Sequence, residues 1–218
     1  MNILFKIGIL FFLENYVSEW SEYTKYISTD LKFAIYRSLC CLFLFLYATV
    51  NVLFEPKLAL LHILSYSSPA VIDLNLWFLS YAIVDIIFMI FYKINRIDLW
   101  LHHIMFIIGV IIYYKIFVVN LILLGEALSL FSAIDLYYIQ NNMMYKSYLC
   151  KKIRKSVILY LRYPVWFYLL FYGLFQLIFL GIGGYSWGSV TFIPCCIALD
   201  FLWLKKCQKV INKYEKNK

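Results

Sequence analysis

The chain has 218 residues, of which 64% are hydrophobic and 15% charged, with a mean hydropathy of +0.80 and a formal net charge of +8. Soluble domains carry about 45–50% apolar and about 25% charged residues, and a water-exposed chain of this size cannot hide such an excess, so lipid is the expected solvent and a water-soluble enzyme is excluded. The basic residues sit in short segments between apolar runs, with no soluble domain to present them to a duplex, which excludes nucleic acid as a partner and reads as membrane topology.

Seven apolar segments follow in chain order, at 2–17, 33–54, 76–92, 99–117, 119–139, 156–181 and 187–206. The first is as short as a signal-peptide core, but it lacks a basic lead and a small-x-small cleavage site. It is expected to be an uncleaved or interfacial helix within residues 1–29. The stretch from Pro56 to Asp73, with Pro69 and a serine pair, reads as a re-entrant or surface piece, and His62 falls in it. The expected fold is all-α: a polytopic transmembrane bundle of six core helices over 30–208 plus the N-terminal extra helix, with a basic tail at 209–218. Alternating the segments puts fifteen lysines and arginines on one side and only Lys6, Lys57 and Lys115 on the other. That asymmetry assigns the basic loops and the C-terminus to the cytosol.

Cysteine usage gives no disulfide framework and no zinc spacing: Cys40–Cys41 and Cys195–Cys196 are adjacent pairs inside apolar runs. Two histidines side by side, with His62 uncertain, are too few for a membrane di-iron site or for bis-imidazole haem, so neither metal nor cofactor is expected.

Polar residues inside the apolar segments are the informative ones, because a charge at such depth costs several kcal/mol unless paired or hydrated. They are Arg37, Asp85, His102, His103, Glu126, Asp135, Arg162 and Asp200. At about 1.5 Å per residue from the basic end of each apolar run, most fall roughly 5–11 Å in, and Glu126 falls deeper, at roughly 20 Å. Structural ion pairing is the plain reading for Arg37, Asp135 and Asp200. A functional reading is favoured for Asp85, Arg162 and the histidine pair, whose members point about 100° apart on a helix.

Taken in order, Arg37-Ser38, LSYAIVD with Tyr81 and Asp85, LHHI with His102 and His103, EALSLF with Glu126, Ser129 and Phe131, then Arg162 and DFLW with Asp200 and Trp203 resemble the TLC-domain family. That family includes ceramide synthases, translocating-chain-associated membrane proteins and an ER cargo receptor. The second polar cluster of ceramide synthases is replaced here by Ser129-Leu130 and Ala133, and Cys40–Cys41 stand where a histidine is often found. The likeness is therefore to the small TLC-domain proteins. It implies an endoplasmic-reticulum protein that handles lipid or regulates membrane lipid composition, in a lipid-sized pocket lined by aromatic side chains. The alternative it implies is an acyl-CoA-dependent N-acyltransferase, with His102 or His103 as general base oriented by Asp85, and with Arg37, Tyr81, Glu126, Ser129 and Arg162 binding substrate. Acyl-CoA would then be a substrate, not a cofactor. The expected partner is a membrane lipid or acyl chain, with homo-oligomers and an ER cargo or translocon role left open.

Overall fold

The computed structural model describes residues 2–23, 27–55, 68–113, 115–179 and 185–216. They form helices α1 (Ile3–Tyr23), α2 (Thr29–Phe54), α3 (Pro69–Phe91), α4 (Ile97–Tyr113), α5 (Val118–Gln140), α6 (Met144–Phe179) and α7 (Tyr185–Lys216). Helices α2, α3, α5, α6 and most of α7 are long and apolar enough to cross a membrane, and α4 is a shorter apolar helix. The described chain is an all-helical bundle compatible with an integral multi-pass membrane protein. His62 and most of the Pro56–Asp73 piece lie outside the described residues.

Local chemistry sets the helix ends. Ser28 caps α2, its hydroxyl accepting from Leu31 N, so the helix starts four residues before the apolar run. Ser68 precedes Pro69 at the first position of α3. The proline read from sequence as a breaker thus starts a helix, since the first turn needs no proline N–H. Lys93 and Asn142 adopt positive φ, 54° and 56°, in the α3–α4 and α5–α6 turns. Helices α6 and α7 also run well into the segments read as a basic loop and a basic tail. Lysines and arginines are good helix formers, and hydropathy marks only the apolar part of a helix.

Packing neighbours follow the order α2–α3–α4–α7–α6–α5 and back to α2, which closes a ring, with α1 outside against α3 and α2. A charged anchor holds α1 there: Lys6 Nζ lies 2.8 Å from Asp73 and over the Trp77 ring, fully buried. The outer faces carry Phe54, Phe91, Phe171 and Phe179, all largely exposed. In water such a surface would aggregate; in lipid it is solvated.

The end of the ring farther from the basic segments is plugged by the first turns of α5. Here three asparagines form a buried chain: Asn51 donates to Asn120 (2.8 Å), Asn120 to Asn75 (2.9 Å), and Asn75 to the Ile116 carbonyl (3.1 Å). Next toward the centre, Phe78, Phe106 and Phe192 fill the axis around a recess of only about 20 Å³. The basic end, by contrast, is open.

Two helix irregularities meet at the level where the ring opens. A 3₁₀ turn at Leu124–Ala127 interrupts α5, and a π turn at Ile158–Arg162 interrupts α6. The second has a cause in sequence, since Pro164 cannot donate to the carbonyl four residues back and crowds it, loosening the preceding turn.

Candidate functional site

The open end encloses a cavity of about 620 Å³, reached between the start of α2, the α3–α4 turn and the basic halves of α5, α6 and α7. Ligand pockets typically measure about 300–1,000 Å³. Its lining includes Arg37, Lys93, Arg96, His102, Glu126, Ser129, Asp135, Lys151, Arg154, Arg162, Trp203 and Lys206. Seven of the lining side chains are cations (those just named as Lys or Arg), against three carboxylates, Asp30, Glu126 and Asp135. Among the described residues its Phe, Tyr and Trp lining is Phe33 and Trp203, a more polar wall than the aromatic-lined pocket expected from sequence. Phe78, Phe106 and Phe192 pack together beyond the cavity.

The two histidines have separate jobs. His103 lies behind the wall: its Nε2 is 2.6 Å from Asp85 Oδ2, and Arg37 Nε is 3.1 Å from the same oxygen. Arg37 Nη2 lies 3.5 Å from the His103 Nε2, and the guanidinium serves as counter-charge to Asp85. These are contacts of charge and not aligned hydrogen bonds, since neither Asp85 oxygen has a well-oriented donor. Asp85 is fully buried, and the trio ties α2, α3 and α4 together.

His102 instead lines the cavity, its ring against Phe106 (4.4 Å), His103 (5.2 Å) and Trp203 (5.3 Å). Its Nε2 stands 3.8 Å from Glu126 Oε1, too far for a hydrogen bond. Glu126 is 4% exposed, and Oε1 has no hydrogen-bond partner. Its other oxygen lies 3.6 Å from the Cys41 thiol, which is also 3.4 Å from the Tyr81 hydroxyl. Tyr81, expected to bind substrate, is buried behind Cys41 and does not line the cavity. Cys41 was marked in the sequence only as part of the Cys40–Cys41 pair that stands where a histidine is often found.

Arg162 reaches the cavity from the π turn. Its Nε donates to Asp200 Oδ2 at 2.9 Å, Trp166 Nε1 donates to the same oxygen at 2.6 Å, and Arg162 Nη1 points to the Gly125 carbonyl at 3.4 Å. A Cβ on Gly125 would stand 3.3 Å from Arg162 Cγ, so glycine lets the guanidinium lie across the 3₁₀ turn that carries Glu126. Ser129 lines the cavity, and its carbonyl accepts from Ser38 at 2.9 Å.

Glu126 therefore joins the floor beside His102, although counting from the end of its apolar run placed it far deeper. The error lies in the zero points. Helix α2 starts before its apolar run and α5 ends after its own, so Arg37 is deeper than counted, and the Ser38–Ser129 bond puts Glu126 level with Cys41, one turn deeper. Asp135 sits nearer the mouth, bound by Ser147 (2.6 Å) and Lys151 (2.5 Å). Also at the mouth, Asp98 gathers Arg96 (2.7 Å), Lys206 (3.0 Å) and Trp203 Nε1 (2.9 Å).

Among the described residues, no group of three or more His, Cys, Asp or Glu is arranged to hold a metal ion. No family model, curated protein or solved structure matches the chain. The TLC likeness thus rests on sequence spacing alone.

Proposed function

We propose that this chain is a multi-pass membrane protein of TLC-domain type that handles lipid, receiving the polar part of an amphiphile in the cavity at the basic end of the ring. The carrying observation is the gap between His102 Nε2 and Glu126 Oε1: 3.8 Å wide, facing a cavity, with a buried carboxylate oxygen left without a partner. A buried acceptor without a donor costs about 1–3 kcal/mol, more when charged. A hydroxyl or amine of a bound lipid would donate to it. The packed phenylalanines beyond the floor support a site for a head group.

On this reading the basic end faces the cytosol and the membrane is that of the endoplasmic reticulum. The test is lipid analysis of the purified chain in nanodiscs. Enrichment of one lipid class over empty discs is expected, with loss of that enrichment in Ser129→Trp, which puts an indole into the cavity. Equal lipid profiles with and without the protein would contradict it.

Acyl transfer is the second reading, favoured by the accessibility of His102. The general base would be His102 acting on a lipid amine or hydroxyl, with Glu126 steadying the imidazolium; Asp85 orients His103 and stays behind the wall. Labelled acyl-CoA and sphingoid bases would give product that disappears in His102→Ala.

A further inference from the structure

We propose that the mouth of this cavity is a binding site for the phosphate group of an amphiphile, about 12 Å above the floor where the His102–Glu126 gap receives a hydroxyl or amine. The distance is that between Arg154 and Arg162, eight residues along α6 at about 1.5 Å each. The inference deepens the amphiphile reading and rests on it.

Charge balance is the first argument. At the mouth stand five cations, Lys93, Arg96, Lys151, Arg154 and Lys206, against three carboxylates, Asp30, Asp98 and Asp135. Five minus three leaves two positive charges, and a phosphomonoester carries about −1.5 to −2 near neutral pH. Deeper in, Arg37 is paired with Asp85 and Arg162 with Asp200, and Glu126 adds one more carboxylate, so the surplus of positive charge is confined to the mouth.

Sharing is the second argument. Asp98 serves both Arg96 and Lys206, while Asp135 is 2.5 Å from Lys151 but 4.0 Å from Arg154. Arg154 Nε is buried with no hydrogen-bond partner. A guanidinium held beside a cavity with its Nε donor unused is suited to a planar or tetrahedral oxyanion. Trp203 joins the two levels, donating to Asp98 at the mouth and packing at a tilt against His102 at the floor.

The phosphate could belong to a lipid head group or be free in solution. The full chain, purified in detergent, is titrated with dioctanoyl phosphatidic acid, dioctanoyl phosphatidylcholine and inorganic phosphate. Phosphatidic acid is expected to bind about tenfold or more tightly than phosphatidylcholine. Raised salt should weaken it. Arg154→Gln and Lys206→Gln should each remove most of the preference, whereas Lys213→Gln, the same charge change on the far part of α7, leaves it intact. Helical circular dichroism and thermal midpoint show that each variant is folded, and Lys206, which is more exposed, serves if Arg154→Gln unfolds.

Inorganic phosphate binding as tightly as phosphatidic acid would support the site with a free anion as its ligand. Phosphatidic acid binding that phosphate cannot displace would support a lipid source. Equal binding of the two lipids, or equal weakening by Lys213→Gln, overturns the proposal. In that case, binding of dioctanoylglycerol, whose free hydroxyl can donate to Glu126, that is abolished by Ser129→Trp would leave the amphiphile reading standing.

Discussion

Asp85 and Glu126 are both buried carboxylates within reach of a histidine, yet their surroundings assign them opposite roles. Asp85 is held by Arg37 and His103 and turned away from the cavity. Removing one partner of a buried ion pair typically costs about 3–5 kcal/mol, because the other charge is left uncompensated. Asp85→Asn should therefore lower the thermal midpoint strongly in detergent, as Arg37 loses its counter-charge. Glu126 has no such partner, and its neutral isostere removes an unsatisfied charge. Glu126→Gln should leave the midpoint unchanged or raise it, while abolishing ligand retention, the usual trade between stability and function at a site. If Glu126→Gln destabilised as much as Asp85→Asn, Glu126 would be one more structural ion. The sequence marked both residues by the same rule, that charges inside apolar runs need explaining. It could not separate them, because their roles depend on which neighbours α2 and α4 bring within 4 Å.

At the scale of elements, the turns that break regular helix geometry are the ones that build the cavity. The π turn before Pro164 rotates Arg162 toward Asp200, and the 3₁₀ turn offers it the Gly125 carbonyl. Deleting Leu161 would restore α-helical register at the cost of turning Arg162 by about 100°. Its pairing with Asp200 should then be lost, with a lower thermal midpoint and weaker ligand retention. A second close approach lies at the crossing of α4 and α7, where a Cβ on Gly188 would collide with the Tyr113 hydroxyl and ring. The buried Tyr113 ring must move to admit it. Gly188→Ala should destabilise the fold measurably in a thermal melt, and Tyr113→Phe in the same chain should recover part of the loss.

Helix existence was readable from apolar runs, because each run is a helix interior. Helix ends were not, because polar turns such as those of α6 and α7 are helical for packing reasons that hydropathy does not record. The asparagine chain was equally silent. Asn51, Asn75 and Asn120 look like isolated polar residues until α2, α3 and α5 converge. Asn120→Ala strands an amide on each neighbour, at about 1–3 kcal/mol apiece, and should lower the midpoint more than Asn141→Ala, whose side chain is exposed.

For the whole molecule, the ring is sealed at one end by asparagines and phenylalanines and open at the other among lysines and arginines. Among the described residues the cavity opens toward the basic end, with His102 and Glu126 at its floor. The fifteen-to-three distribution of basic residues marked the polar end, and the depth count along each apolar run placed Arg37, His102 and Arg162 in one layer. The enclosed space itself, with its cationic wall, depended on how six helices close.

The most direct test is the reactivity of single cysteines in a background where Cys40, Cys41, Cys150, Cys195, Cys196 and Cys207 are replaced, with a water-soluble maleimide applied to sealed vesicles from the side of the basic loops. Ser129→Cys is expected to label readily, to be protected by the retained lipid, and to label only from that side, while Asn120→Cys stays inert. Inert Ser129→Cys, or equal labelling of both positions, would contradict a cavity open at the basic end and closed at the other.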